Sequence, residues 1–218
     1  MKTNKVAVAG ILLFVVAAFA LGVSLYRKHV HSAQDQTVSA EQTRLVRMHS
    51  PILGPQGAPV TIVEFFDPAC ETCRAFYPIV KSLMAKYPED VRLVIRYAPF
   101  HRGSDQVVKL LEAARRQGKY QLVLKAVLQA QPTWADHSQP NPDLTFELSR
   151  AVGLDIERAR QDMARPEMQA LLDQDLEDLK ALQVSRTPTF FVQGRSLPSF
   201  GPDQLAALVA EEVAKAKR

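Results

Sequence analysis

Cysteine is scarce: the chain has only Cys70 and Cys73, and no second Cys-x-x-Cys joins them. With no histidine at conventional ligand spacing either, a closed zinc site has little to build on. Tryptophan is scarcer still, a single Trp134 within the stretch 132–142, where it fills core beneath a loop or lines a surface. A basic surface is also missing, although the formal net charge is +4. Lys2, Lys5, Arg27 and Lys28 are the only charged side chains in residues 1–31, and without them the remainder is formally neutral. The basic excess therefore flanks one N-terminal segment, and no nucleic-acid partner is expected. Internal repeats and low-complexity tracts are absent. Hydrophobic residues at 47% and charged residues at 23% are ordinary for a globular chain, which argues against disorder.

What stands out first is a run without charge over residues 6–26. As a helix it would extend roughly 31 Å, enough for a hydrocarbon core of roughly 30 Å. Ala18-Phe19-Ala20 imitates a signal-cleavage site, but Leu21-Gly22-Val23 carries the apolar run beyond it. An uncleaved anchor contacting the lipid bilayer through residues 6–26 is the primary expectation, with a cleaved signal as the alternative. Both place the rest of the chain outside the cytoplasm. The expected division is an anchor with flanks over 1–31, a polar stalk or linker over 32–57, and one domain over 58–218.

Within that domain, the apolar, β-branched run 60–66 predicts a strand buried on both faces. Asp67-Pro68 stops it, a helix is expected from Cys70 to about Tyr87 with a kink at Pro78, and residues 91–97 form a second strand. That is a βαβ unit. Residues 104–182 read as helical, with Ser104 as a cap, a helix ending at Pro132, a loop over 132–142, and helices at about 143–152, 155–164 and 167–182. Thr189–Val192 is a strand, Gln193-Gly194 a turn, residues 195–197 a short strand, and the stripe Leu205, Leu208, Val209, Val213 marks a closing helix. The whole is an α/β chain: a βαβ plus ββα central sheet with an inserted helical subdomain.

Cys70-Glu71-Thr72-Cys73 lies at the mouth of a predicted helix. Unsatisfied backbone N–H groups there favour an anion, and thiolate is the attacking form of cysteine, so Cys70 would be activated and Cys73 sit inward within reach. Two other readings remain open from the residues alone. One is a structural disulfide, although so short a loop removes little unfolded-state entropy. The other is a metal half-site, if His101 or His137 approached. Glu64 is the one carboxylate in an otherwise apolar strand. Buried, its pKa would rise; at a strand edge it would simply reach water.

Glu64-Phe65-Phe66-Asp67-Pro68-Ala69-Cys70-Glu71-Thr72-Cys73, followed later by Thr187-Pro188-Thr189-Phe190-Phe191-Val192, resembles the DsbA-like family of thioredoxin-fold thiol–disulfide oxidoreductases. The similarity runs from about residue 58 to 215. It implies that Cys70 is the exposed nucleophile, Cys73 the buried resolving partner, and Glu64 the buried acid beneath them. It implies a cis bond at Pro188 and a Thr187 backbone that pairs with an extended substrate segment. No cofactor and no metal are expected. The expected partners are exported cysteine-containing proteins and a membrane redox partner, either DsbB-like or an electron carrier. The expected place is the periplasmic side of a bacterial inner membrane. Glu71 and Thr72 depart from the Pro-His often found between the cysteines of strong oxidants. Glu71 would oppose the thiolate, which predicts a less oxidising couple. Disulfide donor is the primary expectation for direction; a reductase or isomerase, or a thiol-based metal-binding module, are the alternatives.

Overall fold

The structure is a computed structural model that describes residues 43–218 together with Phe19. Apart from Phe19, the proposed anchor at 6–26 lies outside the described residues. Among the described residues no helix is long and apolar enough to cross a membrane. The chain divides into units Met1–Thr43 and Arg44–Arg218, and the elements below all belong to the second.

Five strands form one mixed sheet: β1 (Ile52–Leu53), β2 (Val60–Phe66), β3 (Val91–Tyr97), β4 (Thr189–Val192) and β5 (Arg195–Ser196), in the order β1-β3-β2-β4-β5. β2 and β3 are parallel, with Glu64 opposite Ile95, and β4 lies antiparallel on the other side of β2, with Phe190 opposite Glu64. The apolar run 60–66 is thus the central strand, buried at every position. Helix α1 (Glu71–Lys86) connects β2 to β3 and continues through Pro78. The insertion comprises α2 (Ser104–Arg116), α3 (Tyr120–Gln129), α4 (Gln131–Trp134), α5 (Leu144–Ala151), α6 (Ile156–Met163) and α7 (Pro166–Ala181); α8 (Pro202–Ala216) closes the fold.

Side chains alternate across a strand, so each face of the sheet has its own cluster. Val60, Ile62, Phe66, Leu93, Ile95 and Phe190 pack with α1, α8 and the insertion. Val63, Phe65 and Val94 pack on the other face with Leu179, Val184 and Leu45. Parity therefore sends Glu64, lying between Ile62 and Phe66, towards the α1 side.

Three expectations need correction, and of the two readings of Trp134 the core one holds. Ser104 does not cap α2: Gly103, with φ of 85°, holds that position, and the Ser104 hydroxyl instead donates to Asp67. The expected loop at 132–142 begins inside a helical turn, since Pro132 fits the first turn of α4, where no backbone donor is needed. Trp134 is fully buried and donates through Nε1 to the Val127 carbonyl at 2.9 Å. The stretch expected as stalk is packed onto the domain from Arg44 onward, because Leu45 and Ser50 are buried and Ile52–Leu53 adds an edge strand to β3.

Candidate active site

Cys70 is the N-cap of α1, in extended backbone conformation, with no side-chain cap of the ordinary kind. Its sulfur stands where the helix presents free N–H groups. The Cys70 amide donates to the Asp67 carbonyl at 3.1 Å, and its own carbonyl accepts from Arg74 at 3.1 Å and from Gln131 Nε2 at 3.0 Å. Gln131 Nε2 also donates to the Pro68 carbonyl at 2.7 Å, so the turn before the helix is tied to α4. Both cysteines are free thiols, with Cys73 wholly buried and Cys70 6% exposed.

The Thr187–Pro188 peptide bond is cis. It brings the Thr187 carbonyl to 3.3 Å from Cys70 Sγ, close enough for the thiol to donate to it. Phe76, one turn beyond Cys73, stacks against Phe190 at 5.3 Å and against the half-exposed Phe200 at 5.0 Å, which ties α1 to the segments following Pro188.

The electrostatics separate the two thiols. Cys70 is lowered from 9.0 to about 5, chiefly by a hydrogen bond from Cys73, with Thr187 and the amides of Cys73 and Thr72 adding to it against the cost of burial. Cys73 is pushed far up by burial, by its hydrogen bond to Cys70 and by the nearby charges of Glu64 and Cys70. A value of about 5 sits between the roughly 3.5 of a strong oxidant and the roughly 7 of thioredoxin. Glu71, the residue expected to oppose the thiolate, has its carboxylate engaged elsewhere, 2.6 Å from His137 Nε2.

Glu64 is buried on the central strand, not at an edge, and its Oε1 has no hydrogen-bond partner. Burial, with the Cys70 charge adding, raises it from 4.5 to about 8. Glu64 and Cys73 line a cavity of about 80 Å³, whose polar wall also includes Lys81 and Gln121 among apolar residues such as Phe66, Tyr77 and Leu93. That volume accommodates several water molecules.

Asp67 was read as a strand stop, yet its fully buried carboxylate organises this end of the sheet. Oδ1 accepts from the Ala69 amide at 2.9 Å and from Ser104, while Oδ2 accepts from the amides of Phe100 and His101 at 2.7 and 3.0 Å and lies 2.7 Å from His101 Nδ1. His101 is therefore an anchored side chain. Gln131, His101 and Asp67 carry no local pattern that marks them; their roles depend on contacts across more than thirty residues. Neither His101 nor His137 turns to the cysteines as a ligand set. Among the described residues no group of three or more His, Cys, Asp or Glu is arranged to hold a metal ion.

The family described as thioredoxin matches residues 47–211. A thioredoxin-like oxidoreductase from Silicibacter pomeroyi DSS-3 is 32% identical, with 80% of this chain and 96% of that chain covered at a TM-score of 0.67. Wolbachia pipientis α-DsbA1, at 17% identity, shares the fold over 81% of this chain and 96% of its own, with a TM-score of 0.69. A curated relative named Na(+)/H(+) antiporter NhaA, from Herminiimonas arsenicoxydans, is 32% identical over 146 residues, 67% of this chain. This chain spans 22% of that protein's length, and the name describes the longer protein.

Proposed function

The chain belongs to the thioredoxin family, among its DsbA-like thiol–disulfide oxidoreductases, and from that premise we propose that Cys70 and Cys73 donate a disulfide to exported proteins. The observation that carries the reading is the asymmetry of the pair: one thiol stabilised as an anion at a helix N-terminus beside the Thr187–Pro188 loop, the other buried and held protonated.

Starting from the Cys70–Cys73 disulfide, a substrate thiolate attacks Cys70 Sγ. A substrate–Cys70 disulfide forms and the Cys70–Cys73 bond breaks. The electron pair leaves on Cys73, whose buried thiolate takes a proton from Glu64, the acid that shares its cavity. A second substrate thiolate then attacks the substrate sulfur of the mixed disulfide and expels Cys70 as thiolate. Cys70 is the better leaving group because its anion is the stabilised one. The substrate has lost two electrons and the Cys70/Cys73 pair has gained them. The Thr187 backbone, beside Cys70, offers an extended substrate segment strand-like pairing that gives affinity without demanding particular side chains.

Repeated turnover requires re-oxidation, and a DsbB-like membrane partner would supply it. Residues 6–26 would hold the chain at the bilayer near such a partner, with the domain on the periplasmic side. The deciding experiment equilibrates the full chain in detergent with graded glutathione buffers and reads Cys70 and Cys73 by thiol trapping. A potential of about −120 to −150 mV supports a donor; one of about −270 mV indicates a reductase kept charged by another protein. No exchange at all would overturn the enzymatic assignment of this pair.

A further inference from the structure

Neither residue between the cysteines carries a positive charge, and Glu71 brings a negative one next to Cys70. Two histidines from elsewhere in the chain stand at this spot. We propose that His101, seated on Asp67 and flanked by His137, is a positioning residue for disulfide exchange: its imidazolium offsets the Cys70 thiolate and sets how readily that thiolate leaves.

The geometry is a chain of four side chains around the start of α1. Asp67 lies 2.7 Å from His101 Nδ1, the His101 and His137 rings meet edge-on with centroids 6.0 Å apart, and His137 Nε2 lies 2.6 Å from Glu71 Oε1. Asp67 also holds the Cys70 amide through its carbonyl and the Ala69 amide through its carboxylate. The residue that seats the imidazole therefore seats the backbone that carries the thiol, and the two cannot drift apart independently. Asp67 Oδ2 already accepts from the amides of Phe100 and His101, which suits Nδ1 of His101 as a further donor to it.

Charge favours the cationic ring. Burial by itself would lower His101, but the hydrogen bond to Asp67 and the charges of Asp67, Cys70 and Glu71 outweigh it and the net shift is upward. Linkage is reciprocal: if the thiolate favours the imidazolium, the imidazolium favours the thiolate by the same free energy. His137 acts one step further out. The Glu71 carboxylate is held down first by its own backbone amide and then by His137, whose Nε2 lies 2.6 Å from Oε1 and engages that oxygen. On the same two loops, Arg102 donates to the Ser138 carbonyl at 3.3 Å, and Asp136 accepts from Ser138 and Gln139. Both are spent on the 136–139 loop.

The inference rests on Cys70 being the exchanging thiol, but the thiolate can be read by its ultraviolet absorbance whether or not it exchanges. The full chain in detergent, reduced, is titrated as the unmodified protein, His101→Gln, His137→Gln and the double variant. His101→Gln is expected to raise the Cys70 midpoint by about one pH unit. It should also lower the equilibrium constant for oxidising glutathione about tenfold at neutral pH. His137→Gln, at an exposed position that leaves the fold intact, should shift both in the same direction by less. The loss should vanish at high pH, where the imidazole of the unmodified protein is neutral; a structural defect would persist there. Unchanged midpoints in the variants, or a loss that is equal at all pH values, would overturn the proposal. Should His101→Gln fail to fold, the unmodified protein still decides. Cys70 alkylation must show a step at the pH where the His101 ring protons titrate by NMR, and its absence is equally fatal.

Discussion

Glu64 and Cys70 pull the pH dependence of the reduced protein in opposite directions. Glu64 is raised from 4.5 to about 8, so the folded state keeps a proton that the unfolded chain has released, and stability falls as pH climbs through that window. Full ionisation would cost on the order of 5 kcal/mol. Cys70 is lowered from 9.0 to about 5; its contribution is complete above the unfolded value and is lost as pH falls towards 5. The two slopes largely cancel between about pH 5 and 8, so the reduced protein should show an almost flat unfolding free energy there. Glu64→Gln removes the falling limb, and urea unfolding of that variant should grow more favourable to the folded state from pH 5 to 8. Cys70→Ser leaves the falling limb alone, softened by the loss of the thiolate charge, and should decline over the same range. A flat profile for Glu64→Gln would mean that the Cys70 thiol is not lowered inside the fold, and a flat profile for Cys70→Ser would mean that Glu64 is not raised there. At this same scale the sequence was a good guide wherever chemistry is concentrated in a motif. Cys70, Cys73 and the lone acid of an apolar strand can be picked out locally, whereas Thr187 and Pro188 are marked by the family resemblance. Asp67, His101 and His137 cannot be picked out so, because their meaning comes from contacts across 34 to 66 positions of chain.

Strands and helices long enough to show a pattern were legible: β2 as an apolar, β-branched run, and α8 by its stripe Leu205, Leu208, Val209 and Val213. What the pattern hid are elements stabilised by pairing and not by periodicity. Two residues of β1 have no period, and their strand exists because β3 offers an edge. The same applies to the clamp behind the sheet. Arg96 is fully buried on β3, and its guanidinium reaches Asp175 Oδ1 at 2.8 Å and Asp178 Oδ2 at 2.7 Å, both on α7. Asp175 Oδ2 accepts from the Tyr97 amide at 2.8 Å, and Arg47 closes a two-pronged contact on Asp178 at 2.7 and 2.6 Å. His49 Nε2 lies 2.7 Å from Asp175. The segment expected as free stalk is thus fastened to α7 and, through Arg96, to the central sheet. Removing one partner of a buried pair leaves the other charge uncompensated, which costs about 3–5 kcal/mol. Asp175→Ala is expected to destabilise the domain by that order in urea unfolding. Arg47→Ala, at a partly exposed position, should cost about 1 kcal/mol. Equal losses for the two would indicate that the buried position confers no special weight.

On the scale of the whole chain, the candidate cysteine site, the insertion and the clamp all fall within Arg44–Arg218, while the charge-free run falls before it. Exchange chemistry and membrane attachment should therefore be separable. Among the described residues, the contacts of the Cys70 site fall within 44–218, so a chain shortened to 32–218 should reach the same equilibrium with glutathione as the full chain, because that equilibrium depends only on the two redox forms of the site. Re-oxidation by a membrane partner is different, since anchoring turns an encounter in solution into one at high effective concentration. In membranes containing such a partner, the full chain should sediment with the bilayer, resist alkaline and high-salt washing, and return to the disulfide form at least tenfold faster than the shortened chain at equal amount. Cleavage after Ala20 would instead release a shorter protein, and the two chains would be re-oxidised at one rate. A difference in rate accompanied by a difference in the glutathione equilibrium would contradict this separation, because the N-terminal segment would then be acting on the thiols themselves.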